Sequence, residues 1–206
     1  MLFPVGNILH QNLSSTFTNF EELTSGLKAD RFTGYILLHS WEYEGYIFMD
    51  TGKISQGIQY VHGVETIGPE IIENFHSKID EKDGTISVHQ IQQETTYVFV
   101  SLGVKEVIRE NSSTKEESMS ELIDEMLSDQ FTGVIDIKFG KDFGKSSIYI
   151  LDGVPVDCVI KSKSGKTLSG ISVYEKVVDL SMKVEANYSV IKGDLIKSLE
   201  SLDISE

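Results

Sequence analysis

A short motif that occurs twice constrains this chain more than any other feature of its sequence. The tripeptide Phe-Thr-Gly at residues 32–34 recurs at residues 131–133, 99 positions later. The upstream apolar pattern keeps this spacing without a gap. Downstream the spacing becomes 101, as a two-residue change in the length of a hairpin tip would produce. Self-similarity at a fixed spacing is the signature of repeated structural units. The sequence therefore predicts two copies of one unit.

Each copy is predicted to begin with a helix, because Asn19 and Ser118 each precede a glutamate by three positions, the pattern of a capping box. A β-hairpin follows, and then a strand, a second helix and a final strand. In the first copy these elements span 35–41, 45–50, 54–60, 69–79 and 85–91; in the second they span 134–139, 147–151, 155–160, 171–182 and 186–191. The predicted fold class is α+β, with two copies of a helix, hairpin, strand, helix and strand unit and mostly antiparallel sheets.

The sequence also predicts where the two units meet. The first unit, with an N-terminal extension, is predicted to span residues 1–110, and the second, with a C-terminal helix, residues 118–206. The stretch 111–117 has no apolar anchor and is predicted to be the linker. The first unit alone has a further apolar run at 97–100, predicted to be an extra strand, and then a short amphipathic piece at 104–110.

The charge of the chain excludes two classes of partner. Lysine and arginine number 18 against 32 aspartate and glutamate residues, which gives a net charge of -14. Such a chain repels phosphate backbones and anionic lipids, so we expect it to bind neither nucleic acid nor membrane. No secretory signal and no run of about 18 apolar residues is present, and we expect a cytoplasmic protein.

No set of residues in the sequence indicates catalysis, a metal or a cofactor. All 5 histidines lie in the first copy, without the paired spacing that metal sites use. Cys158 has no histidine in its own copy to activate it. Residues 164–167, Ser-Gly-Lys-Thr, end like a phosphate-binding loop, but Ile160 stands where that loop needs its first glycine. The sequence therefore predicts a protein that is not an enzyme and has no cofactor.

One difference between the copies suggests an interaction surface. The first strand of the second copy alternates, with Asp136 and Lys138 expected to face water. The matching strand of the first copy is apolar or aromatic on that side. We expect this face to be covered, either internally by residues 1–17 or the run near residue 97, or by another protein chain. The candidate interaction face comprises Tyr35, Leu37, His39, Trp41 and Tyr46.

The second copy resembles a known family. It contains Thr-Gly at 132–133, Ile-Tyr-Ile-Leu-Asp-Gly-Val-Pro-Val-Asp-Cys at 148–158, and Gly-x-x-Leu at 165–168. This pattern resembles the PATAN domain, named for the amino-terminal part of the cyanobacterial PatA regulator. The first copy departs from the pattern at Thr51 and at Gln56-Gly57. The resemblance implies a non-catalytic accessory module in signalling. The wording FTGYI at 32–36 and LFPVG at 2–6 also looks like a group of uncharacterised archaeal proteins.

Two functional hypotheses follow from these patterns. The first is a non-catalytic protein-protein interaction or signalling-accessory module whose partner is another protein, with a homodimer left open. The alternative is a small-ligand sensor that uses the cleft between the two units. A pocket of several hundred cubic ångströms lined by His39, Trp41 and Tyr46 would favour the sensor, and a filled surface between the units would favour the interaction module.

Overall fold

The two units contain the same elements in the same order. The computed structural model of the chain describes residues 1–140 and 143–203, so residues 141–142 of the predicted tip of the second hairpin lie outside the described residues. The first unit contains β1 (Asn7–Ser14), α1 (Phe20–Ala29), β2 (Gly34–Ser40), β3 (Tyr43–Asp50), β4 (Lys53–Val61), β5 (Val64–Ile67), α2 (Glu70–Asp80), β6 (Thr85–Gln90) and α3 (Gln93–Ser101). The second contains β7 (Lys105–Ser113), α4 (Met119–Ser128), β8 (Gly133–Phe139), β9 (Lys145–Leu151), β10 (Val154–Lys161), β11 (Thr167–Ser169), α5 (Tyr174–Lys183), β12 (Ala186–Gly193) and α6 (Leu195–Asp203).

The two six-stranded sheets have equivalent topologies. The first sheet has the order β1-β6-β2-β3-β4-β5, and the second has β7-β12-β8-β9-β10-β11. Neighbouring strands in both sheets run antiparallel. The predicted fold class, α+β with two similar units, is therefore confirmed.

Each sheet has an outer face that packs against its own helices. Successive side chains of a strand point to opposite faces, so Ile36 and Leu38 of β2 lie on the outer face. They belong to a core that also contains Phe20 of α1 and Phe75 of α2. In the second unit an equivalent core joins β8, β9 and β10 to α4 and α5.

The opposite faces of the two sheets share a third core. This inner core contains Tyr35, Tyr46 and Phe48 of the first sheet, and Val134, Tyr149 and Val159 of the second. Helix α3 lies between the sheets and adds Val98, Phe99 and Leu102 to it. The two units are therefore joined through an apolar layer rather than through a polar linker.

The repeated Phe-Thr-Gly motif has the same role in both units. The Thr33 hydroxyl accepts a hydrogen bond from the Thr51 amide at 3.0 Å, and the Thr132 hydroxyl accepts one from the Asp152 amide at 3.0 Å. The glycine that follows lies against a neighbouring strand, because a Cβ on Gly133 would be 2.1 Å from the Ile191 carbonyl oxygen. The motif therefore fixes the turn that brings the first helix of each unit onto its sheet.

Both predicted helix starts are observed. The Ser118 hydroxyl accepts from the Glu121 amide at 3.2 Å, and the Glu121 carboxylate accepts from the Ser118 amide at 3.0 Å, which completes a capping box. Asn19 accepts from the Glu22 amide at 3.2 Å. Each such cap typically contributes about 1 kcal/mol.

Two predictions around the junction of the units are corrected by the structure. Residues 97–100 belong to α3 and do not form an extra strand. Residues 105–113 form β7, which pairs with β12 in the second sheet. The second sheet therefore includes most of the predicted amphipathic piece and the first part of the predicted linker. Strands β1, β5 and β11 were not predicted. Among the described helices, none has the length and apolar character needed to cross a membrane.

The glycine of the repeated motif gives a test of this packing. We expect Gly133→Ala to lower the free energy of unfolding by about 2 kcal/mol or more, because the new Cβ must displace the backbone of β12. In the control Gly140→Ala, the new Cβ would lie 3.5 Å from its nearest neighbour, the Glu185 carbonyl oxygen. That change should stay within about 0.5 kcal/mol. Urea unfolding of the two variants checks this, and equal losses would contradict the packing role of Gly133.

Candidate functional site

The structure divides the predicted interaction face into two parts. Tyr35 and Tyr46 are buried and Leu37 is half-buried, and all three contribute to the inner core. His39 and Trp41 are exposed, at the end of β2 and in the turn that follows it. The five residues therefore do not form one continuous surface.

The cover over the buried part is internal. The ring of Phe3 stacks on Tyr46 with 3.7 Å between ring centroids and on Phe99 of α3 with 5.3 Å. The Tyr35 hydroxyl donates to the Pro4 carbonyl oxygen at 2.8 Å. Residues 1–6, here called the strap, and helix α3 thus cover the face. This confirms the internal alternative, although the run near residue 97 covers it as a helix.

The sequence suggested that the matching face of the second unit is open to water. The structure shows instead that most of this face is covered. Val134 and Ser147 are fully buried, and Asp136 is only partly exposed. The strap explains the burial of Ser147, because the Leu2 amide donates to the Ser147 hydroxyl at 2.8 Å. Both inner faces are therefore covered, the second one by the strap, α3 and the first sheet.

Polar groups from both units satisfy the backbone of the strap. The Val5 amide donates to the Ser169 hydroxyl at 3.1 Å, and the Val5 carbonyl oxygen lies 2.8 Å from Nδ1 of His89. The Tyr149 hydroxyl donates to the Leu2 carbonyl oxygen. Burial lowers the pKa of His89. An unpaired backbone group in such a layer would cost about 1–3 kcal/mol, so these hydrogen bonds allow the strap to lie between the sheets.

Two aromatic side chains lie exposed at one end of the first unit. Phe17 is 89% exposed and Trp41 is 86% exposed, the largest fractions among the large apolar side chains of the described residues. Phe17 lies in the turn after β1, and Trp41 in the turn between β2 and β3. We call this end of the first unit the aromatic end, defined by Phe17 and Trp41.

The start of β6 holds these two turns beside each other. The Ser15 amide donates to the Gly84 carbonyl oxygen at 3.0 Å, which fixes the turn that carries Phe17. On its other side, Gly84 lies against β2, where a Cβ on Gly84 would be 2.9 Å from the His39 carbonyl oxygen. The exposed rings therefore lie on neighbouring loops at the same end of the first sheet.

A cleft of about 690 Å³ opens between the two units. It lies at the end of β6, whereas the aromatic end lies beside the start of β6. Its walls come from the strap, from the end of β6, and from β10 and β11. The apolar lining includes Val5, Ile91 and Val156, and the polar lining includes Gln90, Asp157 and Ser169. A second cleft, of about 470 Å³, is lined by Tyr46 but by neither His39 nor Trp41.

Asp157 is the ionisable group buried in the wall of the larger cleft. Its residue is 7% exposed, and its carboxylate accepts from the Cys158 amide at 2.7 Å and from the Thr95 hydroxyl of α3 at 3.4 Å. Burial raises the pKa of Asp157, although these hydrogen bonds act to lower it. No lysine, arginine or histidine pairs with Asp157 among residues 1–140 and 143–203.

The neighbouring groups give little support for covalent or metal chemistry. Burial raises the pKa of the Cys158 thiol to about 12, so the thiol is protonated at neutral pH. Within the described part of the chain, no three histidine, cysteine, aspartate or glutamate residues converge as metal ligands would.

The comparison with protein families identifies a relative of the first unit. The sequence model of DUF2226, described as an uncharacterized protein conserved in archaea, matches residues 1–103. The chain belongs to this family. The match confirms the similarity to uncharacterised archaeal proteins, and it ends between α3 and β7. Searches of curated proteins and of solved structures each found no match.

The carboxylate of Asp157 gives a test based on pH. Because the pKa of Asp157 is raised in the folded chain, the folded state holds this proton more tightly than the unfolded state does. The contribution of Asp157 to the stability of the wild-type protein should therefore fall as the pH rises above about 4, the usual pKa of an aspartate. In Asp157→Asn this loss should be absent, so the stability of the variant relative to the wild type should rise from pH 4 toward neutrality.

Urea unfolding across this pH range measures the difference. The control is Asp179→Asn, which makes the same charge change on the exposed face of α5. Its stability should follow the wild-type pH profile. If Asp157→Asn also ran parallel to the wild type at every pH, burial of the Asp157 carboxylate would have no energetic consequence.

Proposed function

We propose that the protein is a non-catalytic interaction module that binds another protein through its aromatic end. The observation that carries this proposal is the exposure of Phe17 and Trp41 on neighbouring loops, 89% and 86% respectively. Large rings exposed to water are unfavourable for an isolated domain, whereas tryptophan and other aromatic residues are the usual anchors of protein interfaces.

The comparison of the two units supports a specific role for these rings. By the 99-residue spacing, Phe17 corresponds to Glu116, which is charged and exposed. The fold therefore does not require an apolar side chain at this position. Trp41 and its neighbour His39 belong to the interaction face predicted from the sequence, and they are the members of that face that a partner can reach.

The wider setting of this function is also a proposal. The resemblance to the PATAN domain implies an accessory module in signalling, which fits a binding surface that is separate from any catalytic group. The net charge of -14 disfavours nucleic acid and anionic membranes as partners. We propose a cytoplasmic protein whose partner is another chain, with self-association as one form of that partnership.

A second candidate function is supported by a different observation. The open cleft of about 690 Å³ between the units has the size of a small-molecule site and contains a buried carboxylate. A small-ligand sensor could use this cleft while the aromatic end binds a partner, because different residues form the two surfaces.

Removal of the two exposed rings tests the interaction. A partner is first captured with the wild-type protein from an extract of the source organism, identified by mass spectrometry and purified. We expect the double variant Phe17→Ala, Trp41→Ala to bind this partner at least about 30-fold more weakly, since interface anchors contribute about 2 kcal/mol or more. The melting temperature should not change, because neither ring is packed.

Two exposed apolar residues of the second unit provide the control. Met182→Ala and Ile196→Ala remove side chains that are also largely exposed, but on helices α5 and α6 of the second unit. Both control variants should bind the partner as the wild type does. Equal binding by the wild type and the double variant would refute the proposal, as would weaker binding by the control variants alone. Light scattering shows whether self-association follows the same pattern.

A further inference from the structure

The two units place different side chains at one equivalent buried position. Gln56 of β4 is opposite Phe48 in the first sheet, and Asp157 of β10 is opposite Tyr149 in the second. Each lies near one end of α3. Nε2 of Gln56 donates to the Val100 carbonyl oxygen at 3.4 Å, and Asp157 accepts from the Thr95 hydroxyl at 3.4 Å. The donor therefore faces the C-terminal end of the helix, and the acceptor faces the N-terminal end.

The surroundings of the two positions differ. At the Gln56 end, a Cβ on Gly103 would lie 2.5 Å from Nε2 of Gln56 and 3.2 Å from the Ser198 hydroxyl, so the space is filled. The Ser198 hydroxyl also donates to the Ser101 carbonyl oxygen at 3.0 Å and accepts from the Val104 amide at 2.9 Å. At the Asp157 end, the equivalent space is the open cleft of about 690 Å³.

The helix end alone does not account for a charged residue at position 157. A negative charge near a helix N-terminus gains about 0.3–1 kcal/mol, and burial of an unpaired carboxylate costs more than this. The raised pKa of Asp157 agrees with this comparison, because burial disfavours the charged carboxylate more than the surrounding hydrogen bonds favour it. A neutral amide serves the equivalent position in the first unit. Within residues 1–140 and 143–203 the carboxylate therefore has no basic counter-ion, and it lies in the wall of an open cleft.

We propose that this cleft binds a small organic ammonium ion, with the Asp157 carboxylate as its counter-ion. The apolar walls, which include Val5 and Ile171, suit the carbon chain of such a ligand. Gln90 and Ser169 add polar groups to the lining of the cleft. The net charge of -14 draws cations toward the protein. This proposal is independent of the interaction through the aromatic end, because it uses none of the same residues.

Titration of the full chain with simple probes tests the proposal. The probes are n-butylammonium and 1,4-diaminobutane, with butyrate and n-butanol as the anionic and neutral counterparts, followed by NMR or calorimetry. We expect the two amines to saturate with dissociation constants in the millimolar range or below, as befits ligands of so few atoms. Titration with butyrate or butanol should not saturate the protein.

Variants locate the site. Asp157→Asn should weaken amine binding at least about tenfold, the effect of losing one charged hydrogen-bond partner. Gln92→Trp, which fills the cleft from its exposed edge, should also abolish binding, and Asp179→Asn should leave it unchanged. Thermal melts show that each variant is folded. The proposal is overturned if neither amine saturates, if Asp157→Asn binds them as well as the wild type does, or if Mg²⁺ or K⁺ displaces them at equal concentration.

Discussion

The packing of Phe99 of α3 between Phe48 of the first sheet and Tyr149 of the second is the contact on which the arrangement of the two units depends. Each sheet has an apolar outer face that its own helices cover, but it also has an apolar inner face that needs a second cover. One helix, α3, and one short strap supply that cover for both sheets at once. Because neither inner face can be exposed to water without a large loss of buried area, the two units stabilise each other.

This shared layer explains why the repeat is asymmetric. The elements β1 to α3 recur as β7 to α6, yet α3 lies between the sheets whereas α6 packs beside α3. A single central helix has two different ends, so the equivalent residues Gln56 and Asp157 contact its C-terminal and its N-terminal end respectively. The two surfaces proposed to bind ligands or partners also differ between the copies. The open cleft lies at one end of α3, and the exposed rings of Phe17 and Trp41 do not belong to the shared layer.

The sequence was sufficient for the features that local interactions determine. The repeat, the capped helices and the hairpins were predicted because turns, caps and alternation leave short-range patterns. Helix α3 was missed because residues 98–101 are all buried, which removes the helical periodicity and leaves a run of residues typical of a strand. Strand β7 is mostly exposed and shows no alternation. The candidate face is divided because β2 ends before Trp41. No pattern in the sequence indicated that Asp157 is buried, apart from the presence of Gln56 at the equivalent position of the first copy.

Hydrogen exchange in the variant Phe99→Ala tests the shared core most directly. Phe99 contacts Phe48 of the first sheet and Tyr149 of the second, with 4.3 Å and 4.9 Å between ring centroids. Loss of a buried phenylalanine typically costs about 3–5 kcal/mol. If the inner core joins the units, the slowest-exchanging amides of β2 and β3 and those of β8 and β9 should lose protection by a similar factor. Loss of protection in one sheet, with the other unchanged, would contradict the account.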